Sequence, residues 1–138
     1  MLLPIRTLFF ALGCAALVLA APARGAEEAA PDGKAQYYKL HPAFVVNLQS
    51  EGRKRFMQTE AQVMARSGAT IQAVKYHQPA IRHALILLFS QQDTEALRTV
   101  EGKEKMRSAA LKAINDVLKR ETGEGKVSGV YFTSMVIQ

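Results

Sequence analysis

Alternating apolar and polar residues predict two consecutive β-strands, at residues 37–48 and 53–66. A period of two residues is typical of a strand with one buried and one solvated face. A short glycine-containing turn at residues 50–52 joins them and indicates a hairpin. Pro42 places the first strand at a sheet edge or a bulge, because proline has no N–H for the ladder. The expected buried positions are Tyr38, Leu40, Phe44, Val46 and Leu48 in the first strand, and Met57, Thr59, Ala61, Val63 and Ala65 in the second.

Helical periodicity follows the hairpin. A short helix is expected at residues 70–77, and Pro79 is suited to open a second one at residues 79–91. That helix is so apolar that it is expected to be nearly surrounded by protein. After a turn or short helix around residues 94–98, the longest helix is expected at residues 103–121. The expected buried stripes are Ile81, Ala84, Leu85, Leu88 and Phe89 in the second helix, and Met106, Ala110, Ile114, Val117 and Leu118 in the longest.

A last strand is expected at residues 127–137, with Val130, Phe132 and Val136 on its buried face. The order strand, strand, helices, strand is typical of an α+β fold. Neither long helix can bury its apolar face alone. The chain is therefore expected to form a small antiparallel-rich sheet of about three strands packed with two main helices.

The N-terminal segment, residues 1–25, reads MLLPIRTLFFALGCAALVLAAPARG. An early arginine, an apolar run and small residues at its end are typical of a secretory signal peptide. Cleavage is expected before Ala26, with Ala21-Pro22-Ala23 as a second possible site. The uncharged run at residues 7–23 is also close to the shortest length for a membrane span, so an uncleaved anchor is the alternative. In both cases the rest of the chain is expected on the periplasmic side of a bacterial inner membrane.

Residues 26–35, AEEAAPDGKA, are expected to form a flexible tether, which leaves residues 36–138 as a single folded domain. The chain has 138 residues, is 49% hydrophobic and 22% charged, and carries a net charge of +6. This composition excludes collagen-like and wholly disordered chains. The single cysteine excludes an internal disulfide and a cysteine-based zinc site.

The densest basic run is Arg53-Lys54-Arg55. Export of the domain argues against nucleic acid as its ligand. The favoured interpretation is a solvated edge strand, whose charges discourage association between sheet edges. The alternative is a contact with acidic lipid headgroups.

No pattern of catalytic or metal-binding residues is found. The histidines are His41, His77 and His83, and the last two are six residues apart, which is not the spacing of a helical metal pair. The sequence has no glycine-rich phosphate loop and no Gly-x-Ser-x-Gly elbow. We therefore expect no enzyme activity, no cofactor, no metal and no small-molecule substrate.

Four segments are found together, in this order: HPAFVVNL at residues 41–48, PAIRHALILLFS at 79–90, LRTVEGK at 97–103 and VYFTSMVIQ at 130–138. They resemble the first strand, the apolar central helix, the turn before the long helix and the C-terminal strand of the flagellar basal-body-associated protein FliL family. The resemblance implies a stomatin/prohibitin-like periplasmic domain that assembles into a homo-oligomeric ring. It also implies stator and basal-body proteins as partners, and a role in flagellar rotation, motility and chemotaxis. The family usually has a longer N-terminal anchor region than the one seen here.

The sequence thus predicts a non-enzymatic assembly protein at the flagellar basal body, with a generic periplasmic small-ligand-binding module as the alternative and an exported enzyme as a third choice. Exposed positions near the four segments are the candidate contacts: Arg82, His83, Tyr131 and Thr133. Charge reversal at Arg82 is expected to leave the fold intact, since exposed charges contribute little to stability. Structural roles are the alternative: Arg82 would pair with an acid such as Glu101, and Tyr131 would pack beneath a helix.

Overall fold

The computed structural model of the protein describes residues 33–124 and 126–138. Its sheet has the strand order β1-β2-β3, and both neighbouring pairs are antiparallel. The strands are β1 (Gln36–Leu48), β2 (Arg55–Ala65) and β3 (Gly129–Ile137). The helices are α1 (Gly68–Tyr76), α2 (Gln78–Ser90) and α3 (Val100–Thr122), with a 3₁₀ turn (Ala96–Arg98) before α3. The α+β class and the single antiparallel sheet are confirmed. The expected signal or anchor at residues 1–25 and most of the expected tether lie outside the described residues.

One core joins the sheet to the helices. The expected buried faces of β1 and β2 are confirmed, with Tyr38 partly buried and the other positions buried. The expected stripe of α3 is buried throughout. Thr59 is a polar member of this core, and its hydroxyl donates to the backbone oxygen of Ser134 at 2.8 Å. Burial of this hydroxyl costs little free energy, because a buried hydroxyl is costly only when it has no hydrogen-bond partner.

Helix α3 begins at Val100, three residues before the expected start. The reason is a cap: the Thr99 hydroxyl oxygen accepts from the backbone N–H of Gly102 at 2.9 Å. The helix ends where Gly123 adopts a left-handed φ of 73°, a conformation that glycine takes without strain. The helix therefore ends at Thr122, one residue after its expected end.

Helix α2 is less enclosed than its composition predicts. Ile81, Leu85 and Phe89 are fully buried, but Ile86 is 41% and Leu87 49% exposed. The expectation that protein would nearly surround this helix is wrong, because α2 packs on one side only, against β1 and its neighbouring helices. Ala84 and Leu88, both expected to be buried, are only partly buried against the core.

Strand β3 changes face part-way along its length. Glu60 pairs with Ser134 and Ala61 with Phe132, so Thr133 is inserted without a partner as a bulge. Val130 is buried and Phe132 partly so, as expected, but Val136 is 46% exposed. The prediction for Val136 is wrong because the extra residue inverts the alternation. Its neighbours Met135 and Ile137 pack against the core instead.

The expectations for the first strand's irregularity are confirmed. β1 is an edge strand, and its register shifts between Leu40 and Phe44, around a cis His41–Pro42 peptide bond. The basic run lies elsewhere than expected. Arg53 and Lys54 are in the exposed hairpin turn and Arg55 opens β2, the central strand. The edge-strand interpretation of these three charges is therefore wrong.

Replacing Gly102 with alanine is expected to destabilise the domain by about 1–3 kcal/mol, the usual range for overpacking. A Cβ there would lie 1.9 Å from the backbone oxygen of Ala96, so the 3₁₀ turn would have to move. Inside a helix, replacing glycine with alanine normally stabilises a protein by about 1 kcal/mol. The effect expected at Gly102 has the opposite sign. Urea unfolding measures it, with the exposed Ser108→Ala on the same helix as control. A Gly102→Ala protein as stable as the original would contradict the prediction.

Candidate protein-contact surfaces

Arg82 joins helix α2 to the irregular part of β1. Its Nη1 donates to the backbone oxygen of Pro42 at 2.6 Å and lies 3.5 Å from the oxygen of Leu40. The guanidinium carbon is 4.2 Å from the ring centroid of Phe44, which is a cation–π distance. Gln78 strengthens the same junction, donating to the His41 oxygen at 2.6 Å and accepting from the Tyr38 hydroxyl at 2.7 Å.

These contacts correct the expectation for Arg82. The side chain is partly buried, and loss of water around it lowers the pKa of the guanidinium from its ordinary value. Glu101 is not its partner, since that carboxylate pairs with Lys105 at 3.0 Å. The Arg82 guanidinium therefore donates its hydrogen bonds to the backbone of β1. The expectation that this side chain is simply exposed is wrong.

His83 is exposed, as expected, and lies beside an open groove at the junction of α1 and α2. We call this region the α1–α2 surface. The groove has a volume of about 650 Å³. Its lining consists of Lys75, Tyr76, Gln78, Pro79, Arg82, His83 and Ile86.

Tyr131 lies on the side of the sheet away from the helices, which we call the outer sheet face. It is exposed, as expected, and its ring centroid is 6.2 Å from that of Tyr37 on β1. The Tyr131 side chain also lies over Gly129, where a Cβ would come within 3.0 Å of the phenol oxygen. The alternative that Tyr131 packs beneath a helix is therefore wrong: it packs across strands.

Thr133, the bulge residue, is also exposed. Its hydroxyl donates to Glu60 Oε2 at 3.4 Å, and the Nζ of Lys39 is 2.6 Å from the same oxygen. The hydrogen bond from Lys39 holds the pKa of the Glu60 carboxyl below its usual value. This small polar cluster separates Tyr131 from the apolar residues farther along the outer sheet face.

The four predicted contact residues thus belong to two surfaces. Arg82 and His83 are on α2, whereas Tyr131 and Thr133 point away from the helices on the opposite side of the sheet. Several exposed apolar side chains were not predicted as contacts. They are Tyr76, Ile86 and Leu87 on the helices, and Val45, Phe56 and Val136 on the outer sheet face. The alternation of strand residues could have indicated that Phe56 is exposed, because the next residue, Met57, was expected on the buried face.

A concavity of about 740 Å³ lies between the C-terminal part of α3 and residues 126–128, which precede β3. The Asn115 amide at this place already donates to the Val127 oxygen at 3.0 Å and accepts from its N–H at 2.8 Å. Within residues 33–124 and 126–138, no three His, Cys, Asp or Glu side chains are grouped closely enough to hold a metal ion.

None of the helices within residues 33–124 and 126–138 combines the length and the apolar character that crossing a membrane requires.

The structure therefore defines a small α+β domain that presents exposed side chains for contact on both sides of a single sheet. The family model described as "Flagellar basal body-associated protein FliL" matches residues 37–138, so the chain belongs to this family of flagellar basal-body proteins. The Flagellar protein FliL of Aquifex aeolicus (strain VF5) is 34% identical over 113 residues, which cover 82% of this chain and 68% of the relative. The resemblance seen in the sequence is confirmed.

Proposed function

We propose that the protein is a non-enzymatic assembly component of the flagellar basal body that supports the torque-generating stator units. The observation that carries this proposal is the family match, which extends over almost the whole described domain. Through the stator, the protein would sustain flagellar rotation, and with it motility and chemotaxis. Its action would be mechanical, by contact between folded surfaces.

We further propose that several copies form a ring around the stator. A closed ring needs two different complementary surfaces on each copy, because its contacts run head to tail. Two distinct surfaces are available in the α1–α2 surface and the outer sheet face. In the described part of the chain, β3 also has one edge without a neighbouring strand, where backbone groups can pair with another strand.

The domain at residues 36–138 is proposed to lie in the periplasm beside the inner membrane, connected through residues 26–35 to a signal peptide or short anchor at residues 1–25. Where the described chain starts, the Gly33 N–H donates to the Arg66 oxygen at 2.7 Å, beside the end of β2. Any anchor would therefore join the domain at the sheet end opposite the basic hairpin turn. Membrane fractionation, with mass spectrometry of the mature N-terminus, distinguishes cleavage from anchoring.

Deletion of the gene is expected to impair swimming while leaving growth unchanged, because the proposed role is confined to the motor. Swimming speed and growth rate in the deletion strain measure this, with the intact gene restored on a plasmid as control. Normal swimming in the deletion strain would contradict the proposed function, provided that the genome encodes no second family member.

The candidate residues are tested in the same strain. His83→Glu and Tyr131→Ser change exposed side chains on different surfaces. Each is expected to reduce swimming at normal protein abundance if its surface contacts the motor. Thr133→Val tests the bulge, where the hydroxyl contacts Glu60. Normal swimming in one variant would remove that residue from the proposed interface.

A further inference from the structure

The α1–α2 surface lies in a segment that contains no acidic residue. Residues 61–92 have no Asp or Glu, although they include Arg66, Lys75 and Arg82. The acids that border this segment are engaged elsewhere. Glu60 pairs with Lys39 on the outer sheet face, and Asp93 Oδ1 accepts from the N–H of Ala96 at 2.9 Å. The segment therefore contributes only positive or neutral groups to this side of the domain.

The same surface exposes apolar side chains that the fold does not cover. Tyr76 is 82% exposed and Ile86 is 41% exposed. Pro79, His83 and Ile86 follow a helical spacing along α2, with the exposed ring of Tyr76 nearby at the other wall of the groove. A row of exposed side chains beside a groove can bind the apolar face of an amphipathic segment.

We propose that the α1–α2 surface binds an acidic segment of a partner protein that carries apolar residues on one face. Tyr76 and Ile86 would contact the apolar face, while the positive charges of Lys75 and Arg82 at the groove would attract its carboxylates. Hydrogen bonding of Arg82 to the carbonyl of Pro42 orients the guanidinium and leaves its positive charge in place. This proposal rests on the proposed function, since it describes the chemistry of a basal-body partner.

Charge density favours a peptide over a membrane as the occupant. Recognition of acidic lipid surfaces typically uses clusters of about 4–8 Lys or Arg residues. Among the residues that the structure describes, two such side chains line the groove, Lys75 and Arg82. Two cations with an apolar stripe match a segment that carries a few carboxylates and a few apolar side chains.

The test uses the full chain and a fluorescent 16-residue peptide with leucine at helical positions i, i+3, i+4 and i+7 and glutamate at most others. The control peptide has lysine in place of glutamate. Fluorescence anisotropy is expected to show at least tenfold tighter binding of the glutamate peptide. His83→Glu and Ile86→Ser should each weaken that binding about fivefold, the effect expected for loss of one favourable contact. Val100→Ser, 84% exposed, and Lys103→Glu are matched controls that lie away from the groove, and they should leave binding unchanged.

Equal binding of the two peptides, or full binding by both groove variants, would overturn the proposal. Phosphatidylglycerol vesicles provide a second probe. If the protein bound these vesicles and the groove variants abolished that binding, the occupant of the α1–α2 surface would be a membrane and the proposal would be overturned. Swimming separates this proposal from the proposed function. A deletion strain that does not swim, beside an Ile86→Ser strain that swims normally at normal abundance, would refute the acidic-segment site and leave the flagellar role standing. A deletion strain that swims normally would refute the flagellar role, whereas the peptide measurements would still decide the binding site.

Discussion

Replacing Leu85 with alanine is expected to lower the free energy of unfolding by about 2–5 kcal/mol, the usual range for a buried leucine truncated to alanine. Leu85 has no exposed surface and lies midway along α2, within the core that joins the helices to the sheet. Its removal leaves a cavity that close-packed neighbours can fill only partly. Because small domains are stable by only about 5–15 kcal/mol, a loss of this size is easily measured by urea or thermal unfolding.

Leu87→Ala is the matched control for Leu85→Ala. It removes the same atoms from the same helix, but Leu87 is 49% exposed and no cavity would form. Its effect is expected to be below about 1 kcal/mol, since surface substitutions change stability little. Equal losses for the two variants would contradict the orientation of α2 described above.

Arg82→Glu is expected to lower the free energy of unfolding by about 2–4 kcal/mol. The change removes a charge-assisted hydrogen bond to the Pro42 oxygen, a class of bond that contributes about 1.5–3 kcal/mol. It also removes the cation–π contact with Phe44 and places a carboxylate beside backbone oxygens of β1, which repel it. Thermal unfolding of the purified variant measures the loss.

Two other substitutions distinguish the effect of a changed charge from the effect of losing the guanidinium contacts of Arg82. His83→Glu introduces the same negative charge one residue later, at an exposed position, and should leave stability nearly unchanged. Arg82→Lys retains the positive charge but lacks the planar guanidinium, so an intermediate loss is expected. If Arg82→Glu proved as stable as His83→Glu, the junction between α2 and β1 would not depend on Arg82.

Swimming of an Arg82→Glu strain depends on the fold of the domain as well as on any interface at this position. The sequence interpretation treated Arg82 as an exposed charge whose reversal would disturb only an interface. Since the side chain holds α2 to β1, poor swimming of an Arg82→Glu strain would be explained equally well by a weakened fold. His83 is the better position for testing the α1–α2 surface, because its side chain is exposed.

The candidate contact residues illustrate how much of a protein-contact surface can be predicted. Exposure of His83, Tyr131 and Thr133 was predicted correctly from helix and strand periodicity. The exposed Tyr76 and Leu87 were not predicted as contacts, because an apolar residue beside a hydrophobic stripe looks like part of the core. Whether such a residue is covered depends on how many layers pack around its helix, which is a property of the assembled domain.

Local periodicity was sufficient for the order of the elements, the buried faces of β1, β2 and α3, and the α+β class. These features depend on residues close together in the chain, which share one repeating geometry. The bulge at Thr133 and the contact of Arg82 with Pro42 depend on strand register and on residues 40 positions apart. No local pattern encodes such pairings. One inserted residue in a strand reverses the faces of the residues after it, and a carbonyl far away in the chain can draw an otherwise exposed side chain onto the domain. The exposure of Val136 and the structural use of Arg82 were therefore settled by packing between distant segments.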